Sequence, residues 1–547
     1  MKQWMIAWRT LARRPGYSLT ALLMLILGIG ATSTLFSVVD TILLKPLPYP
    51  NADRLVTVYE ASPATNNPSS LIAPVRLEEW NRLNRSFDTI AGLYTENVTD
   101  TSGAEPERLA GRRVSPRYFE VYGTPPMLGR TFAPNEEVFG GPLTAVISYG
   151  FWTRRYARDP RAIGKRLTIG GAGCTIVGVM PSQFSAPSVD VWLPAQSNPQ
   201  LMTIRNARFY NGVGRMKPGV SIAQARADLA SVERGLAAEY PATDKGWSAL
   251  VDDLKEMRVG DYRRTLLLVF GAVALLMLIA IANIAGLTTA QLQQREREMA
   301  IRSSIGASRP QVIATVMREV LLLAALGAAF GGAVAYLGVE LFAKLFADLP
   351  RVPELAFDWR ALGFTALASI AAAAIFGLIP AIQATRADLA PMLAESARGV
   401  AGGRRRWQQS LVVAQLALTV LLLSSAGLLL RTYYNLSHVD TGFDASNVVT
   451  FHVGAAWNED RHKIGLLQER LIADIGRLPG VEAAGIVNLL PALGATQTYQ
   501  MQLEGVARTE ETAASTVGQR GVSAGYLQAL KYPLLAGEWC PALKMDF

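Results

Sequence analysis

The stretch RRPGYSLTALLMLILG, residues 13–28, places two arginines directly before an apolar run that continues to Val39. A helix needs roughly 20 apolar residues to cross the hydrocarbon core of a bilayer, and Leu19–Val39 meets that requirement. The run is longer than the apolar region of a signal peptide, and no small-residue cleavage site follows it before LLKPLPYP. The sequence therefore predicts an uncleaved membrane anchor.

Further apolar runs of the same length follow along the chain. They are Leu266–Leu287, Val320–Leu341, Ala361–Ile382 and Leu411–Leu430. Half of the 547 residues are hydrophobic and only 18% are charged, a composition too apolar for an ordinary soluble protein. The net charge of +9 comes from arginines beside the apolar runs, without a basic segment interleaved with aromatic residues, so the partner predicted from charge is membrane lipid and not nucleic acid.

The basic residues also predict the orientation of the chain, because short cytoplasmic loops are rich in Lys and Arg. They fall in the N-terminal arm (Lys2, Arg9, Arg13, Arg14), in the second-to-third connection (Arg295, Arg297, Arg302, Arg309, Arg318) and in the fourth-to-fifth connection (Arg386, Arg398, Arg404, Arg405, Arg406). Five crossings then place the N-terminus in the cytoplasm and the C-terminus outside the membrane.

Two regions are predicted outside, Lys45–Tyr262 and the chain after Arg431. The first reads as mixed α/β: TAVISYGFWTRRY and RLTIGGAGCTIVGVMP have strand-like β-branched runs, and an amphipathic helix follows Ser221, a plausible N-cap. The second has a similar helix through Ile464 and Leu478. The predicted fold class is an integral membrane α-helical protein with five transmembrane helices and α+β periplasmic domains.

An internal repeat joins the two halves of the chain. RRPGYSLTALLMLILG is matched by RRRWQQSLVVAQLALTVLLL from Arg404, NADRLVTVYE by DASNVVTFHV, and VSPRYFEVYGTPPMLGRTF from Val114 by VSAGYLQALKYPLLAGEW from Val522. Three matches in the same order indicate a duplication.

The motifs YFEVYGTPPMLGRTF, GFWTRRYARDPRAIGKRLTIGG, VGRMKPGVSIAQARADL, REREMAIRSSIGASRPQV and LIPAIQATRADLAPMLAESAR stand in one order along the chain. With the repeated segments, they resemble the MacB/FtsX-type permeases of ABC systems, most closely the acidobacterial-type duplicated orphan permeases. The domains implied by this resemblance are a cytoplasmic arm with the first helix (1–44), a MacB-like periplasmic core domain (45–262), an FtsX-like permease domain (263–400), a basic linker with the fifth helix (401–430) and a partial second core domain (431–547). The last is expected to be a C-terminally truncated copy.

In that family, residues 295–308 resemble the cytoplasmic coupling helix that docks on a separate ATPase. Glu296, Glu298, Arg302 and Gly306 match the motif by position. The alternative is an ordinary cytoplasmic loop whose charges only fix the topology. Gly327 and Gly331 form a GxxxG pattern, for which close packing within the bundle is favoured over dimerisation.

No GxxxxGK[ST] phosphate-binding sequence occurs, two distant cysteines give no disulfide framework, and three histidines show no HExxH pattern. The chain is therefore predicted to be neither an enzyme nor a cofactor protein, with ATP bound by a partner. The resemblance implies a multi-pass permease of the bacterial inner membrane that works by mechanotransmission in efflux or export. The partners implied are a cytoplasmic ABC ATPase, a periplasmic adaptor or outer-membrane protein, and a second copy of the chain. The alternatives are an FtsX-like regulator of a periplasmic cell-wall hydrolase and a nonfunctional fragment of a longer permease.

The predicted topology is testable with reporter fusions after Ser102, Ala307, Arg404 and Ala473. Because the arginine-rich connections are retained inside, these fusions are expected to report outside, inside, inside and outside in that order. Paired alkaline phosphatase and green fluorescent protein reporters give the readout. A cytoplasmic signal after Ala473 would contradict the five-crossing arrangement.

Overall fold

The computed structural model describes residues 2–62, 67–184, 189–295, 309–347, 349–378, 381–382, 402–453, 460–491, 498–500, 516–518 and 520–536. The chain divides into two compact units. One, here called the membrane unit, comprises Met1–Lys45 and Arg258–His438. The other, here called the sheet unit, comprises Pro46–Met257 and Val439–Phe547.

The α-helices of the described residues are numbered in chain order. They are α1 (Lys2–Ala12), α2 (Pro15–Val39), α3 (Pro74–Leu83), α4 (Tyr118–Tyr122), α5 (Pro134–Glu137), α6 (Tyr149–Tyr156), α7 (Ile222–Glu239), α8 (Pro241–Asp244), α9 (Leu254–Gln294), α10 (Arg309–Leu345), α11 (Trp359–Ala373), α12 (Gly402–Ser437), α13 (Arg461–Gly476) and α14 (Ala524–Ala529). Single π-helical segments continue α2 through Asp40–Leu44 and α11 through Ala374–Leu378.

Among the described residues, five helical segments are long and apolar enough to cross a membrane. They are Pro15–Leu44, Leu254–Gln294, Ile313–Leu345, Trp359–Leu378 and Val412–Ser437. Each contains most or all of one apolar run identified in the sequence, so the prediction of five spans is confirmed. The span within α12 is exposed along its length in the described structure.

The membrane unit is built on a close contact between α2 and α10. Gly327 and Gly331 of α10 face Leu25 and Ile29 of α2, and a Cβ atom added at Gly327 would lie 2.8 Å from Cβ of Leu25. The same contact is made from the other side, where a Cβ on Gly30 of α2 would lie 2.8 Å from a methyl of Val334. Lipid tails are as apolar as leucine, so helices in a bilayer associate through such close packing. The prediction that the GxxxG glycines pack within the bundle is confirmed.

Within its described residues, the sheet unit contains a 13-stranded mixed sheet and a separate two-stranded antiparallel sheet. The strands are β1 (Leu55–Ser62), β2 (Asn67–Ser70), β3 (Phe87–Thr95), β4 (Val98–Asp100), β5 (Glu107–Leu109), β6 (Gly111–Val114), β7 (Leu128–Gly129), β8 (Thr144–Ile147), β9 (Arg166–Ile169), β10 (Ala172–Val179), β11 (Val191–Pro194), β12 (Asn211–Met216), β13 (Ser248–Asp253), β14 (Thr498–Gln500) and β15 (Thr516–Gly518).

The main path of the sheet runs β13-β1-β12-β3-β6-β11-β8-β10-β9-β4-β5, with β2 paired to β1 and β7 to β10. Most pairs are antiparallel, but β10 pairs with β8 and β11 with β6 in parallel. Apolar side chains cover the sheet in two cores. Trp80 of α3 and Leu229 of α7 belong to one core, and Tyr118 of α4 packs with Trp192 of β11 in the other. The α+β character predicted from the sequence is therefore present.

The segment TAVISYGFWTRRY corrects one expectation. Only Thr144–Ile147 forms a strand, and the chain then turns into α6 at Ser148. The Ser148 hydroxyl accepts a hydrogen bond from the backbone N–H of Phe151 at 3.1 Å, the bond that caps a helix N-terminus. The predicted cap at Ser221 is confirmed, because its hydroxyl accepts from Gln224 N at 3.3 Å and the Gln224 side chain accepts from Ser221 N.

The repeated segments VSPRYFEVYG and VSAGYLQALK adopt the same local structure. Ser115 exchanges two hydrogen bonds with the backbone of Gly92, one through its N–H and one through its hydroxyl, both at 2.8 Å. Ser523 exchanges the same two with Ile486, at 2.9 and 2.8 Å. A short helix follows each serine and buries the matching tyrosine, Tyr118 or Tyr526. The internal repeat is thus visible in hydrogen bonding as well as in sequence.

The contact between α2 and α10 can be tested with alanine at neighbouring glycines of α10. Gly327→Ala forces a methyl against Leu25 and is expected to lower the free energy of unfolding by about 1–3 kcal/mol, as overpacking does. Gly332→Ala is the matched control, because its Cβ would meet only Thr365 at 3.9 Å, so improved helix propensity should leave stability equal or higher. Unfolding in mixed micelles gives both values. Equal stabilities would show that α2 and α10 do not depend on this close approach.

Candidate functional site

The predicted coupling residues Glu296, Glu298, Arg302 and Gly306 lie in residues 296–308, outside the described residues. The structure does describe the two helix ends that hold this segment. Helix α9 ends at Gln294 and α10 begins at Arg309. The site is therefore built from the groups that fix these two ends.

An ion pair ties the end of α9 to α10. Nη1 of Arg295 donates to both carboxylate oxygens of Glu319, at 3.0 and 3.1 Å. Both side chains are more than four-fifths buried. Glu319 lies ten residues beyond the start of α10, which is about 15 Å along a helix axis. The pair therefore holds the end of α9 beside the third turn of α10 and not beside its first residue.

A second set of contacts joins α9 to the start of α2. The Tyr17 hydroxyl lies 2.9 Å from the Thr288 hydroxyl, and the Arg14 guanidinium donates to the side-chain oxygen of Gln291. Leu11 of α1 is buried in the same apolar core as Leu292. Helices α1, α2, α9 and α10 thus meet at the end of the membrane unit from which residues 296–308 depart.

An open cleft runs between α1 and the first turns of α10. It is lined by Gln3, Pro310, Gln311, Ala314, Thr315 and Arg318. Four of these six residues carry amide, hydroxyl or guanidinium groups, so the cleft presents polar groups and the positive charge of Arg318 beside the start of α10.

The opposite end of the membrane unit is closed by a network of charged groups. Arg351 donates to the backbone carbonyls of Lys45 at 2.7 Å and of Ile42 at 3.3 Å, and it pairs with Glu354 at 2.7 Å. These bonds satisfy carbonyl groups at the end of the π-helical extension of α2. The group formed by Asp40, Lys45, Arg351, Glu354, Asp358 and Arg360 is called the outer latch below.

The remaining bonds of the outer latch connect α2 to α11. Arg360 donates to the buried carboxylate of Asp40 at 3.2 Å, and Lys45 lies 2.8 Å from Asp358. Burial favours the neutral form of Asp358, but hydrogen bonds from Lys45 and from the backbone N–H groups of Ala361 and Arg360 outweigh it, so the pKa of Asp358 stays below its ordinary value. The carboxylate is therefore ionised at neutral pH and keeps the latch closed.

Sequence reasoning did not single out Glu319, Asp40 or Arg351. Arg295 is predicted only as an orientation residue and as the first residue of the coupling segment, without a partner. The available signal was an isolated acidic residue at the end of an apolar run, Asp40 after Val39 and Glu319 before Val320. Such a residue needs a partner, but its position in sequence does not say which one.

Comparison with known proteins finds two family models on this chain. The MacB-like periplasmic core domain matches residues 18–232, and the FtsX-like permease C-terminal domain matches residues 270–389.

Curated relatives include the macrolide export ATP-binding/permease protein MacB of Shigella sonnei, 28% identical over 288 residues, which are 51% of this chain and 42% of that protein. The probable export ATP-binding/permease protein MacB of Pseudomonas entomophila is 22% identical over 281 residues, 50% of this chain and 40% of that protein. The chain thus spans about two fifths of the length of these relatives.

Solved structures with similarity include the periplasmic region of MacB from Actinobacillus actinomycetemcomitans, at a TM-score of 0.30 and 12% identity, covering 38% of this chain and 94% of that one. The extracellular domain of the transporter YknZ from Gram-positive bacteria gives a TM-score of 0.28 and 16% identity, covering 36% of this chain and 99% of that one.

The ion pair at the base of residues 296–308 can be tested by exchanging its charges. Arg295→Glu and Glu319→Arg are each expected to destabilise the membrane unit, because each leaves like charges together in a buried place. The double exchange should recover part of the loss, with a coupling free energy of about 0.5–3 kcal/mol. Chemical unfolding of the four proteins in mixed micelles measures it. Strictly additive effects would mean that the two side chains do not interact.

Proposed function

Since the chain belongs to the MacB/FtsX-type permeases, we propose that it is the multi-pass permease subunit of an ABC transporter and couples a separate cytoplasmic ATPase to movement of its periplasmic domain for export. The coupling is mechanical. ATP-driven closure of the partner pushes on residues 296–308, and the membrane helices pass the displacement to the other face of the membrane.

The arrangement of the membrane unit is the observation that supports this function most. Residues 296–308 leave from helix ends that are fixed by Arg295–Glu319 and Tyr17–Thr288. Helix α10 runs on without interruption through the close contact with α2, and the outer latch joins α2 to α11. A force applied at one end is therefore carried by stiff, tightly packed helices and not absorbed by a loop.

The polar groups inside the membrane unit favour mechanical coupling over conduction. The Thr365 hydroxyl donates to the Ser33 hydroxyl at 2.9 Å, and Ser37 and Ser369 hydroxyls donate to backbone carbonyls four residues earlier. Paths for ions or protons through a membrane are usually marked by ionisable groups facing a cavity, whereas these hydroxyls are satisfied locally. We place the transported substrate in the periplasm, from which it is passed outward.

The ATPase is assigned to a partner because the sequence contains no phosphate-binding loop. The curated relatives are named ATP-binding/permease proteins, and their names combine the two activities that we divide between this chain and its partner. The proposed membrane orientation places residues 296–308 and the cleft beside α1 in the cytoplasm, within reach of that partner.

The decisive test is association with the cytoplasmic ABC ATPase that co-purifies with the unaltered chain. The double variant Glu298→Arg with Arg302→Glu is expected to abolish co-purification, because charge reversal at a polar interface opposes both the encounter and the bound state. The control is Glu340→Arg, an exposed charge reversal near the other end of α10, which should leave association unchanged. Insertion and folding are checked by fractionation and size-exclusion chromatography.

Unchanged association of the double variant would return residues 296–308 to the role of an orientation signal. The same purification separates the two classes of function considered for the sequence. An adaptor or outer-membrane protein recovered with the complex supports export, whereas a cell-wall hydrolase recovered in its place would replace export by regulation.

A further inference from the structure

A group of charged side chains is buried inside the sheet unit and takes no part in the coupling proposed above. It contains three arginines and four carboxylates, contributed by β1, α3, α7, α8 and the segment before β12. The members of this ionic cluster are Arg76, Arg205, Arg208, Glu60, Glu79, Glu233 and Asp244.

Arg76 stands at the centre of the ionic cluster and is completely buried. Its guanidinium nitrogens lie 2.7 Å from Asp244, 3.1 Å from Glu233, 3.2 Å from Glu79 and 3.6 Å from Glu60. A single guanidinium therefore faces all four carboxylates.

The other two arginines close the ionic cluster from its edge. Arg205 donates to both oxygens of Glu79, at 2.7 and 2.8 Å, and to Asp244 at 2.6 Å, while its guanidinium carbon lies 3.8 Å from the centre of the Tyr240 ring. Arg208 donates to Glu60 and lies 3.5 Å from the centre of the Trp247 ring. These two rings cover the guanidinium groups.

The charges do not balance, because four carboxylates share three guanidinium groups. Glu60 has Arg208 and Arg76, Glu79 has Arg205 and Arg76, and Asp244 has the same two arginines. Glu233 pairs with Arg76 alone, and the Arg76 nitrogen nearest to it makes no hydrogen bond. Oε1 of Glu233 accepts a hydrogen bond from the indole N–H of Trp80 at 2.6 Å. Among the described residues, no group donates a hydrogen bond to its buried Oε2.

We propose that the ionic cluster is a proton-binding switch in which the Oε2 atom of Glu233 takes up one proton. Glu233 of α7 contacts Arg76 and Trp80 of α3 at the corner between these two helices, and uptake of the proton tightens this corner. With the proton bound, three negative charges face three positive charges. Without it, an uncompensated negative charge is left in a place that excludes water, and this is strongly unfavourable.

The electrostatics of the two key carboxylates agree with this assignment. Burial raises the pKa of Glu233 from its ordinary value of 4.5 to about 7, against the attraction of Arg76. Burial also favours neutral Asp244, but the hydrogen bond from Arg205 and the positive charge of Arg76 outweigh it and hold the pKa of Asp244 below its ordinary value. Burial raises the pKa of Glu60 as well, but Glu60 pairs with both Arg208 and Arg76. The proton is therefore assigned to Glu233, which pairs with Arg76 alone and has the unpartnered Oε2.

The direction of the pH effect follows from the number of bound protons. Between the unfolded pKa of 4.5 and the folded pKa of about 7, the folded chain holds a proton on Glu233 that the unfolded chain has lost. The stability that this proton contributes is complete at low pH and is lost as the pH rises through about 7. The corner between α3 and α7 should therefore tighten in mild acid and loosen in mild alkali. In the proposed topology this domain lies outside the membrane, so the switch would sense the external medium.

The test measures amide hydrogen exchange of α3 and α7 in the purified full-length chain by mass spectrometry. After correction for the intrinsic pH dependence of exchange, protection is expected to fall about tenfold between pH 6 and pH 8. Glu233→Gln should remove this fall, whereas Glu239→Gln, an exposed change near the end of the same helix, should preserve it. All of these proteins carry Glu137→Gln, because burial raises the pKa of Glu137 to about 7 as well.

A second measurement does not depend on how well Glu233→Gln folds. Infrared difference spectroscopy of the chain carrying only Glu137→Gln, between pH 6 and pH 8, should show the carbonyl stretch of a protonated carboxyl group disappearing as the pH rises. Absence of that band would overturn the proposal, and so would protection that does not change with pH or that changes equally in Glu233→Gln and its control. None of these outcomes depends on an ATPase, so they are independent of the proposed function.

Discussion

The membrane unit depends on the close approach of α2 and α10. Glycine at 30, 327 and 331 removes the side chains that would keep the two helices apart, and Leu25, Ile29 and Val334 fill the space. In a bilayer, contact between helices must come from such packing, because moving apolar groups away from lipid yields little. Helix α11 joins the same core through Phe376, and α9 through Met277 and Ile284.

The packed helices hold the polar bonds at their two ends in place. Arg295–Glu319 and the outer latch are worth little as isolated surface pairs, but here they are partly buried and are held in place by the packed helices between them. Together they make the helices behave as one stiff element. The proposed mechanical coupling requires this property.

The sheet unit solves a different physical problem, because it buries charge instead of small apolar residues. Replacing buried ion pairs by apolar groups is often neutral or stabilising, so the ionic cluster around Arg76 is not explained by stability alone. Its imbalance of one carboxylate makes the corner between α3 and α7 sensitive to protons. The sequence positions of Glu60, Arg76 and Glu233 give no sign that they meet.

The sequence by itself determined the five spans, the α+β domain, the family and the repeat, because each depends on residue order: apolar length, charge beside it, periodicity and motif spacing. It also predicted the cap at Ser221, a local property of one helix, and the packing role of Gly327 and Gly331, which follows from their spacing along one helix face. It missed the start of α6 at Ser148, where β-branched and aromatic residues fit either a strand or a helix. Only the tertiary structure decided which charges pair, since Arg295 and Glu319, Asp40 and Arg360, and Arg76 and Glu233 are brought together by packing across elements that are distant in sequence.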